Sequence, residues 1–323
     1  MGLILARKCI NYADKKSIEL INPENKALWK KYLNGKRTLK PSSKDSYTSD
    51  MNQFFVFLLK NYDNQCILDI DVEDMADIIE DFLAMCQSVL ENKDRRMQRR
   101  LCSLSSFFLY YRKKRKITEN PVDLIERPKI KQGVYELNRV FLTLEQIADI
   151  RKGLEEKNDI QLTLLFELGL YTMARVNAIR SIRLDQIDLE NKIITKVVEK
   201  EGYVVDLNLN DRCVELIKKW IKEREDKGIK CNYLFITNYN GWNQASTSQF
   251  KSKWIKEIGT IIGEPDLSMH DLRHSGSDLR YKAGMPLEEI SKALHHSSTE
   301  VTRQYYLQED MSKVAKELEK YDI

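Results

Sequence analysis

The sequence predicts a mainly α-helical protein with two domains, the second of which also contains a small antiparallel β-sheet. Apolar residues recur every three or four positions in several long segments, which is the spacing of one face of a helix. A chain of 323 residues is also long enough to form two separate cores. Two neighbouring runs, 192–198 and 203–207, are strand-like, and the short segment between them ends at Gly202, which suits a tight turn.

The first domain is predicted over residues 41–130, after an N-terminal extension over residues 1–40. Within the extension, Asn22 and Pro23 mark the start of one helix. The domain itself is expected to contain three helices, which begin near Pro41, Asp71 and Asn92.

Basic residues gather at both ends of the third of these helices. The candidate phosphate contacts are Arg95, Arg96, Arg99, Arg100, Lys113, Lys114 and Arg115. The same pattern is consistent with a solvated helix that has a charged tail. The net charge is only +4, so binding to a nucleic acid requires these groups to lie on one face.

A linker with Pro121 and Pro128 is predicted to end near residue 130, and a second domain occupies residues 131–323. Thr143 and Gln146 form a capping box before the domain's first helix. Further elements are expected as helices over 160–170, 211–224 and 246–262, a strand over 233–236, and a helix starting at Leu287.

The composition excludes several classes of protein. Six cysteines are scattered and never form Cys-x-x-Cys, which argues against a zinc site and for a reducing cytoplasm. No run of 18 apolar residues is present, so a membrane span is not expected.

All 4 histidines of the chain lie between Met269 and Tyr306. His270 and Arg273 are three positions apart and would share one face of a helix, while His296 precedes Tyr305 by nine residues. Arginine offers a planar fork that matches phosphate oxygens, and a deprotonated tyrosine is a covalent nucleophile. The group indicates phosphoryl transfer through a tyrosine ester, although a lone His-x-x-Arg is usually only a helix-surface pair.

This ordered set resembles the C-terminal signature of the tyrosine recombinases, the phage integrase family. The signature comprises His-x-x-Arg-His from His270, Leu-x-His-Ser-Ser around His296, and Tyr305. The resemblance covers about residues 40–323. It implies a SAM-like, helical core-binding domain that clamps DNA, followed by a catalytic domain with the DNA breaking-rejoining enzyme fold.

The resemblance also implies a set of catalytic residues, namely Arg175, Lys200, His270, Arg273, His296 and Tyr305. In this scheme Tyr305 attacks the phosphodiester and forms a 3′-phosphotyrosine. The two arginines hold the non-bridging oxygens, His270 moves a proton, and His296 donates to the phosphate. Lys200, with Lys196 as its rival, protonates the leaving oxygen. Because the ester conserves bond energy, no metal, ATP or other cofactor is expected.

Three positions depart from the family pattern. Met173 and His295 stand where relatives usually have glycine, so a different local backbone is expected near His295. Ala178 stands where many relatives have a glutamate that buttresses the site, which leaves open what supports Arg175.

The implied partners are double-stranded DNA and copies of the same chain. The expected assembly is a homo-tetramer on two DNA sites, with a dimer on each, and accessory DNA-bending or directionality proteins. The tail over 308–321 docks on a neighbouring subunit or folds back on its own domain. The role is integration, excision or dimer resolution. The alternatives are relaxation of DNA by a type IB topoisomerase, an inactive DNA-binding regulator, and a metallohydrolase built on the histidines.

Overall fold

The computed structural model describes residues 12–37, 39–129, 140–199, 202–296, 298–300, 302 and 319. The chain divides into two compact units, Met1–Glu136 and Leu137–Ile323, and each has its own hydrophobic core. The mainly α-helical fold with small antiparallel sheets is confirmed. Within the described ranges, no helix is both long and apolar enough to cross a membrane.

The described part of the first unit is built from helices. They are α1 (Lys15–Leu20), α2 (Pro23–Gly35), α3 (Pro41–Asn61), α4 (Val72–Ser88) and α5 (Asp94–Lys113). Helix α2 begins as predicted, because the Asn22 side chain accepts from the backbone N–H of Glu24 and Pro23 occupies the first turn. Trp29 and Tyr32 of α2 are buried in the same core as α3, α4 and α5, so this helix is part of the first unit's core.

The second unit begins with α6 (Leu144–Lys157), α7 (Ile160–Thr172) and α8 (Val176–Ser181). The predicted capping box is confirmed: Gln146 N–H donates to the Thr143 hydroxyl, and the Gln146 side chain accepts from the Thr143 N–H. Helix α7 is apolar all round and almost completely buried. It contacts both α9 (Asp211–Asp226) and α11 (Met269–Lys282), so it lies at the centre of the unit.

A three-stranded antiparallel sheet contains β1 (Ile187–Asp188), β2 (Ile193–Val198) and β3 (Val204–Asn208), in that order. The predicted hairpin is therefore present, and Gly202 has a φ of 79° at its turn. The ladder shifts register between Ile194 and Val197, where Lys196 has a φ of 56°. This bulge lets the backbone N–H of Lys196 donate to the Asp206 carboxylate at 2.9 Å.

A second hairpin consists of β4 (Ile236–Asn238) and β5 (Trp242–Gln244). The strand predicted over 233–236 is thus displaced, and Tyr233 makes only an isolated bridge. Side chains of α9 explain the shift. Arg224 Nη1 donates to the Tyr233 carbonyl at 2.6 Å and Trp220 Nε1 donates to the Leu234 carbonyl at 2.8 Å. These carbonyls are occupied, so ladder pairing begins only at Ile236.

The helix predicted over 246–262 is shorter and irregular. A π-helical turn, Gln249–Trp254, leads into α10 (Ile255–Thr260). Its predicted inward residues Phe250, Trp254 and Ile258 are buried, while Ile261 is only partly buried. The last described helix is α12 (Leu287–Ala293), which starts at Leu287 as predicted.

A close approach of α7 and α11 fixes the frame of the site. A Cβ at Gly276 would lie 2.3 Å from the Leu170 carbonyl oxygen, so only glycine fits there. From the next turn of α11, Arg280 donates to the Leu170 and Tyr171 carbonyls at the C-terminal end of α7. These contacts hold α11 against the C-terminal end of α7, which Met173 directly follows.

Candidate active site

Arg273 is a fully buried arginine at the junction of three segments. Its Nη1 donates to the Met173 carbonyl at 2.6 Å, just beyond α7. Its Nη2 donates to the Leu294 carbonyl at 2.6 Å, just beyond α12, and lies 3.0 Å from His296 Nε2. One guanidinium on α11 therefore joins the ends of α7 and α12 and holds an imidazole beside itself.

The hydrogen bonds of His296 define its tautomer. A guanidinium can only donate, so His296 Nε2 accepts from Arg273. The proton then resides on Nδ1, which donates to the Thr302 hydroxyl at 2.9 Å. Burial, followed by the positive charges of Arg273 and Arg175, lowers the pKa of His296 to about 4. His296 is therefore neutral near pH 7 in the absence of an anion.

We expect the imidazole of His296 to titrate near pH 4 in the protein alone and at a higher pH once a phosphate lies beside it. A phosphate anion would attract the Arg273 guanidinium and favour a protonated imidazole, so it should raise the pKa of His296. With only 4 histidines in the chain, ¹³C-histidine labelling gives a resolvable NMR titration for each ring.

The His296→Gln variant assigns the resonance, and Tyr305→Phe allows the same titration in a complex with DNA in which no covalent bond can form. A midpoint near the ordinary 6.5 in the protein alone would contradict the geometry described for Arg273 and His296.

Arg175 lies at the N-cap of α8 and is partly exposed, with 30% of its side-chain surface accessible. Its Nη1 makes an ion pair with Glu199, whose side chain is only 2% exposed. Burial raises the pKa of Glu199, but His295 and Arg175 together lower it further, and the net value is below normal. The carboxylate is therefore ionised, and it holds Arg175 at the edge of the site.

His270 lies one turn before Arg273 on α11 and remains exposed. Partial loss of hydration, followed by the charges of Arg273 and Lys251, lowers the pKa of His270 below its usual value. Arg175 is also close enough to contribute. A neutral imidazole beside two arginines can accept a proton from an incoming nucleophile.

Four of the six predicted catalytic residues, Arg175, His270, Arg273 and His296, thus converge in the second unit. Comparison with known proteins defines this unit further. The model described as the phage integrase family matches residues 140–313, more than half of the chain. The chain belongs to the phage integrase family.

Curated relatives of this integrase-family chain carry the name tyrosine recombinase. The XerC protein of Caldanaerobacter subterraneus is 27% identical over 295 residues, which cover 85% of this chain and 80% of that protein. The XerD protein of Listeria monocytogenes is 25% identical, and the alignment covers 85% of this chain and 90% of that protein. These relatives support a function in site-specific recombination.

Solved structures share the fold of the integrase-family chain. A XerH site-specific recombinase bound to its palindromic difH substrate aligns with a TM-score of 0.65 at 18% identity, over 86% of this chain and 78% of that one. The Tn1549 transposon integrase in complex with circular intermediate DNA aligns with a TM-score of 0.64 at 17% identity, over 91% of this chain and 98% of that one.

Two departures from the family pattern preserve the backbone. Met173 has a φ of 53° and His295 a φ of 51°, both in the left-handed region that glycine adopts readily. The different backbone expected near His295 is therefore not required, since the side chain is accommodated in a glycine-like conformation. Met173 is buried, and its carbonyl is one of the acceptors that fix Arg273.

The third departure, Ala178, is completely buried and offers no carboxylate to Arg175. The acidic partner of Arg175 is Glu199 at the end of β2, which the sequence analysis did not select. The available signal was weak, because an acidic residue beside Gly202 and a lysine is typical of an exposed turn.

The remaining predicted catalytic residues, Lys200 and Tyr305, lie outside the described residues, as do Tyr306 and nearly all of the tail over 308–321. Lys196, the rival of Lys200, lies on the bulge of β2 and is exposed.

The basic residues of α5 and of the segment directly after it divide into three groups. Arg96 and Arg99 are partly exposed, and both pair with the buried Asp50, at 3.0 and 3.2 Å. Arg100 is only 3% exposed, and its guanidinium carbon lies 5.5 Å from the centre of the Phe82 ring. The Arg100 side chain therefore faces the core, because of its position on the helix, and its contact with a phosphate stays a prediction. The other four predicted contacts, Arg95, Lys113, Lys114 and Arg115, are exposed.

Proposed function

We propose that the protein is a site-specific tyrosine recombinase that cleaves and rejoins DNA through a 3′-phosphotyrosine intermediate. The observation that carries this proposal is the cluster around Arg273, in which His296 lies 3.0 Å from the guanidinium and the charges of both Arg175 and Arg273 act on His270. Such a cluster is suited to one phosphodiester anion, and it occurs in a member of the phage integrase family.

The two arginines supply the electrostatic part of catalysis. In the pentacoordinate transition state, negative charge builds up on the non-bridging oxygens of the phosphate. Glu199 holds Arg175 from one side. The Met173 and Leu294 carbonyls hold Arg273. Neither arginine side chain therefore needs to reorganise extensively during the reaction. His296 adds a donor to the same oxygens once its proton is available on Nε2.

Tyr305 is the proposed nucleophile. His296 holds Thr302, which lies three residues before Tyr305, so the chain leading to Tyr305 is attached to the site. His270, neutral at physiological pH, accepts the phenolic proton as the Tyr305 oxygen forms a bond to phosphorus. The bond from phosphorus to the 5′ oxygen breaks in the same step.

Lys200 is the proposed general acid that gives a proton to the departing 5′ oxygen. It directly follows Glu199, whose side chain reaches Arg175, whereas Lys196 is exposed on the β2 bulge four residues earlier. This proximity favours Lys200. Rejoining is the reverse reaction: the 5′-hydroxyl attacks the phosphotyrosine and the tyrosine leaves. The number of phosphoester bonds is conserved, so no ATP is needed, and the two arginines supply the positive charge that a metal ion supplies in other phosphoryl-transfer enzymes.

Double-stranded DNA is the proposed substrate, and the exposed basic residues of α5 and its end contribute phosphate contacts in the first unit. We further propose that the chain acts as a homo-tetramer on two sites, with accessory DNA-bending or directionality proteins, in the cytoplasm. Integration, excision and dimer resolution all use this chemistry.

The direct test is to incubate the protein with DNA that flanks its own gene, stop the reaction with detergent, and map covalent joints. We expect joints at discrete positions with protein on the 3′ phosphate and a free 5′-hydroxyl, formed without ATP and in the presence of a chelator. Relaxation of supercoiled DNA at dispersed positions would instead identify a topoisomerase, and binding without any joint would identify an inactive regulator.

A further inference from the structure

Glu199 is a buried carboxylate for which the proposed chemistry has no direct use. Its side chain is 2% exposed, and it lies at the end of β2 on the hairpin. The backbone N–H of Glu199 donates to the Tyr203 carbonyl at 2.7 Å, which closes that hairpin. Its position is thus fixed by the sheet, independently of the helices that carry the arginines.

The carboxylate faces two other segments of the site. Oε2 pairs with Arg175 Nη1 at the start of α8. Oε1 lies 3.8 Å from Nδ1 of His295, the residue that directly precedes His296. Within the described part of the chain, both of these buried atoms lack a hydrogen-bond partner, so a small movement of the His295 turn would join them.

An ionised carboxylate in this environment constrains its neighbours strongly. An unpaired buried charge is unfavourable, so Arg175 cannot turn away from Glu199 without a large penalty. Nη1 of Arg175 is committed to Glu199, and within the described residues its other N–H groups have no protein partner that would compete with a phosphate. The carboxylate therefore restricts the guanidinium to one orientation.

We propose that Glu199 is a positioning residue for the reaction: it orients Arg175 toward the scissile phosphate and ties it to the turn that carries His295 and His296. This inference rests on the proposed function for its kinetic part. The ion pair itself does not depend on that function. Glu199 provides, from the hairpin, a carboxylate that Ala178 on α8 cannot provide.

The kinetic test compares Glu199→Gln with the unmodified protein in single-turnover cleavage of a nicked substrate. We expect the cleavage rate to fall about 10- to 100-fold, the range expected when a catalytic group is misplaced by about 1 Å. DNA affinity should be unchanged or slightly higher, because a negative charge has been removed near a polyanion. Glu199→Asp, which keeps the charge but is one methylene shorter, should restore part of the rate.

A double-mutant cycle separates positioning from simple structural support. If Glu199 acts through Arg175, Glu199→Gln should cause no further loss of rate in an Arg175→Ala background. The same fold-loss in both backgrounds would overturn the proposal, and so would wild-type cleavage by Glu199→Gln. Should Glu199→Gln fail to fold, Glu199→Asp replaces it in the same two backgrounds, and either wild-type cleavage by Glu199→Asp or an equal fold-loss of rate with and without Arg175 would overturn the proposal.

Urea unfolding of the same variants tests the pair without using activity. Arg175→Ala should lower the urea midpoint more than Glu199→Gln does, since it leaves a buried carboxylate unpaired. The double variant should be more stable than the sum of the two shifts implies. Additive shifts would show that the two side chains do not interact, even if cleavage is never observed, so the inference can fail separately from the proposed function.

Glu167→Gln is the matched control. Glu167 is also a buried carboxylate paired with arginine: Arg151 Nε and Nη2 lie 2.7 and 2.9 Å from its two oxygens, and Arg212 Nε lies 2.8 Å from Oε1. Among the described residues it makes no hydrogen bond or ion pair with the proposed catalytic residues. This variant should lower the urea midpoint and leave the cleavage rate of the folded protein unchanged. A loss of rate equal to that of Glu199→Gln would show that the rate reports only general stability, and would overturn the positioning role.

Discussion

Replacing Tyr305 by phenylalanine should abolish the covalent protein–DNA adduct on a nicked suicide substrate while leaving DNA binding intact. The change removes one hydroxyl, which is the proposed nucleophile, and keeps the aromatic ring. No other group named in the site can form a stable ester with the 3′ phosphate, so the expected loss is complete. Denaturing gels measure the adduct, and a mobility-shift assay measures binding.

Tyr306→Phe is the matched control because it makes the same chemical change one residue further along the chain. It should still form the adduct. Loss of the adduct in Tyr306→Phe together with its survival in Tyr305→Phe would move the nucleophile by one residue. It would also show that the nine-residue spacing from His296 was counted from the wrong position.

Replacing Lys200 by alanine should slow cleavage by about 100- to 10,000-fold, the usual contribution of a general acid. An alkoxide is a poor leaving group and needs a proton in the transition state. DNA binding should change little, because one charge among many phosphate contacts contributes little affinity. Single-turnover rates measured with saturating protein separate the chemical step from binding.

A substrate with sulfur in place of the bridging 5′ oxygen identifies the acid directly. A thiolate departs without protonation, so this substrate should restore much of the rate of Lys200→Ala. If sulfur rescues Lys196→Ala instead, the bulge lysine is the acid. If it rescues neither lysine, the acid lies elsewhere and His270 is tested next.

An arginine variant completes the experiment, because arginine acts on the non-bridging oxygens and its loss should not be rescued by sulfur. Arg273→Ala would also remove the bonds to the Met173 and Leu294 carbonyls, so its defect would mix catalysis with structure. Arg175→Lys is the cleaner choice. It keeps a positive charge beside Glu199 and loses only the planar fork. Rescue of Arg175→Lys by sulfur would contradict the role given to Arg175.

Much of the fold follows from local patterns in the sequence. Asn22 and Asp71 cap helices that begin where the sequence predicts, and the capping box at Thr143 forms in full. These signals act over three or four residues and depend little on the rest of the chain. The strand at 233–236 was displaced because Trp220 and Arg224, residues of another element, take the carbonyl groups there.

The histidine-rich window, with the family resemblance that selects Arg175, was sufficient to predict the four candidate catalytic residues that the structure describes. Their types and order are written in the chain, and chemistry restricts what such a set can do. The spacing could not separate an arginine that faces solvent from one that faces the core. Arg96 and Arg100 are four residues apart on one basic helix, yet Arg96 stays partly exposed and pairs with Asp50, whereas Arg100 lies buried at Phe82.

The sequence by itself determined the fold class and the family signature, and it predicted the residues that would meet a phosphate. Only the tertiary structure decided what holds those residues. The partner of Arg175 is Glu199, 24 positions away on a different element, and Arg273 binds Met173, 100 positions away. Such pairings depend on how α7, α11 and the β2–β3 hairpin pack together. Helical and strand periodicity reports which face of an element is buried, but not which distant residue lies opposite it.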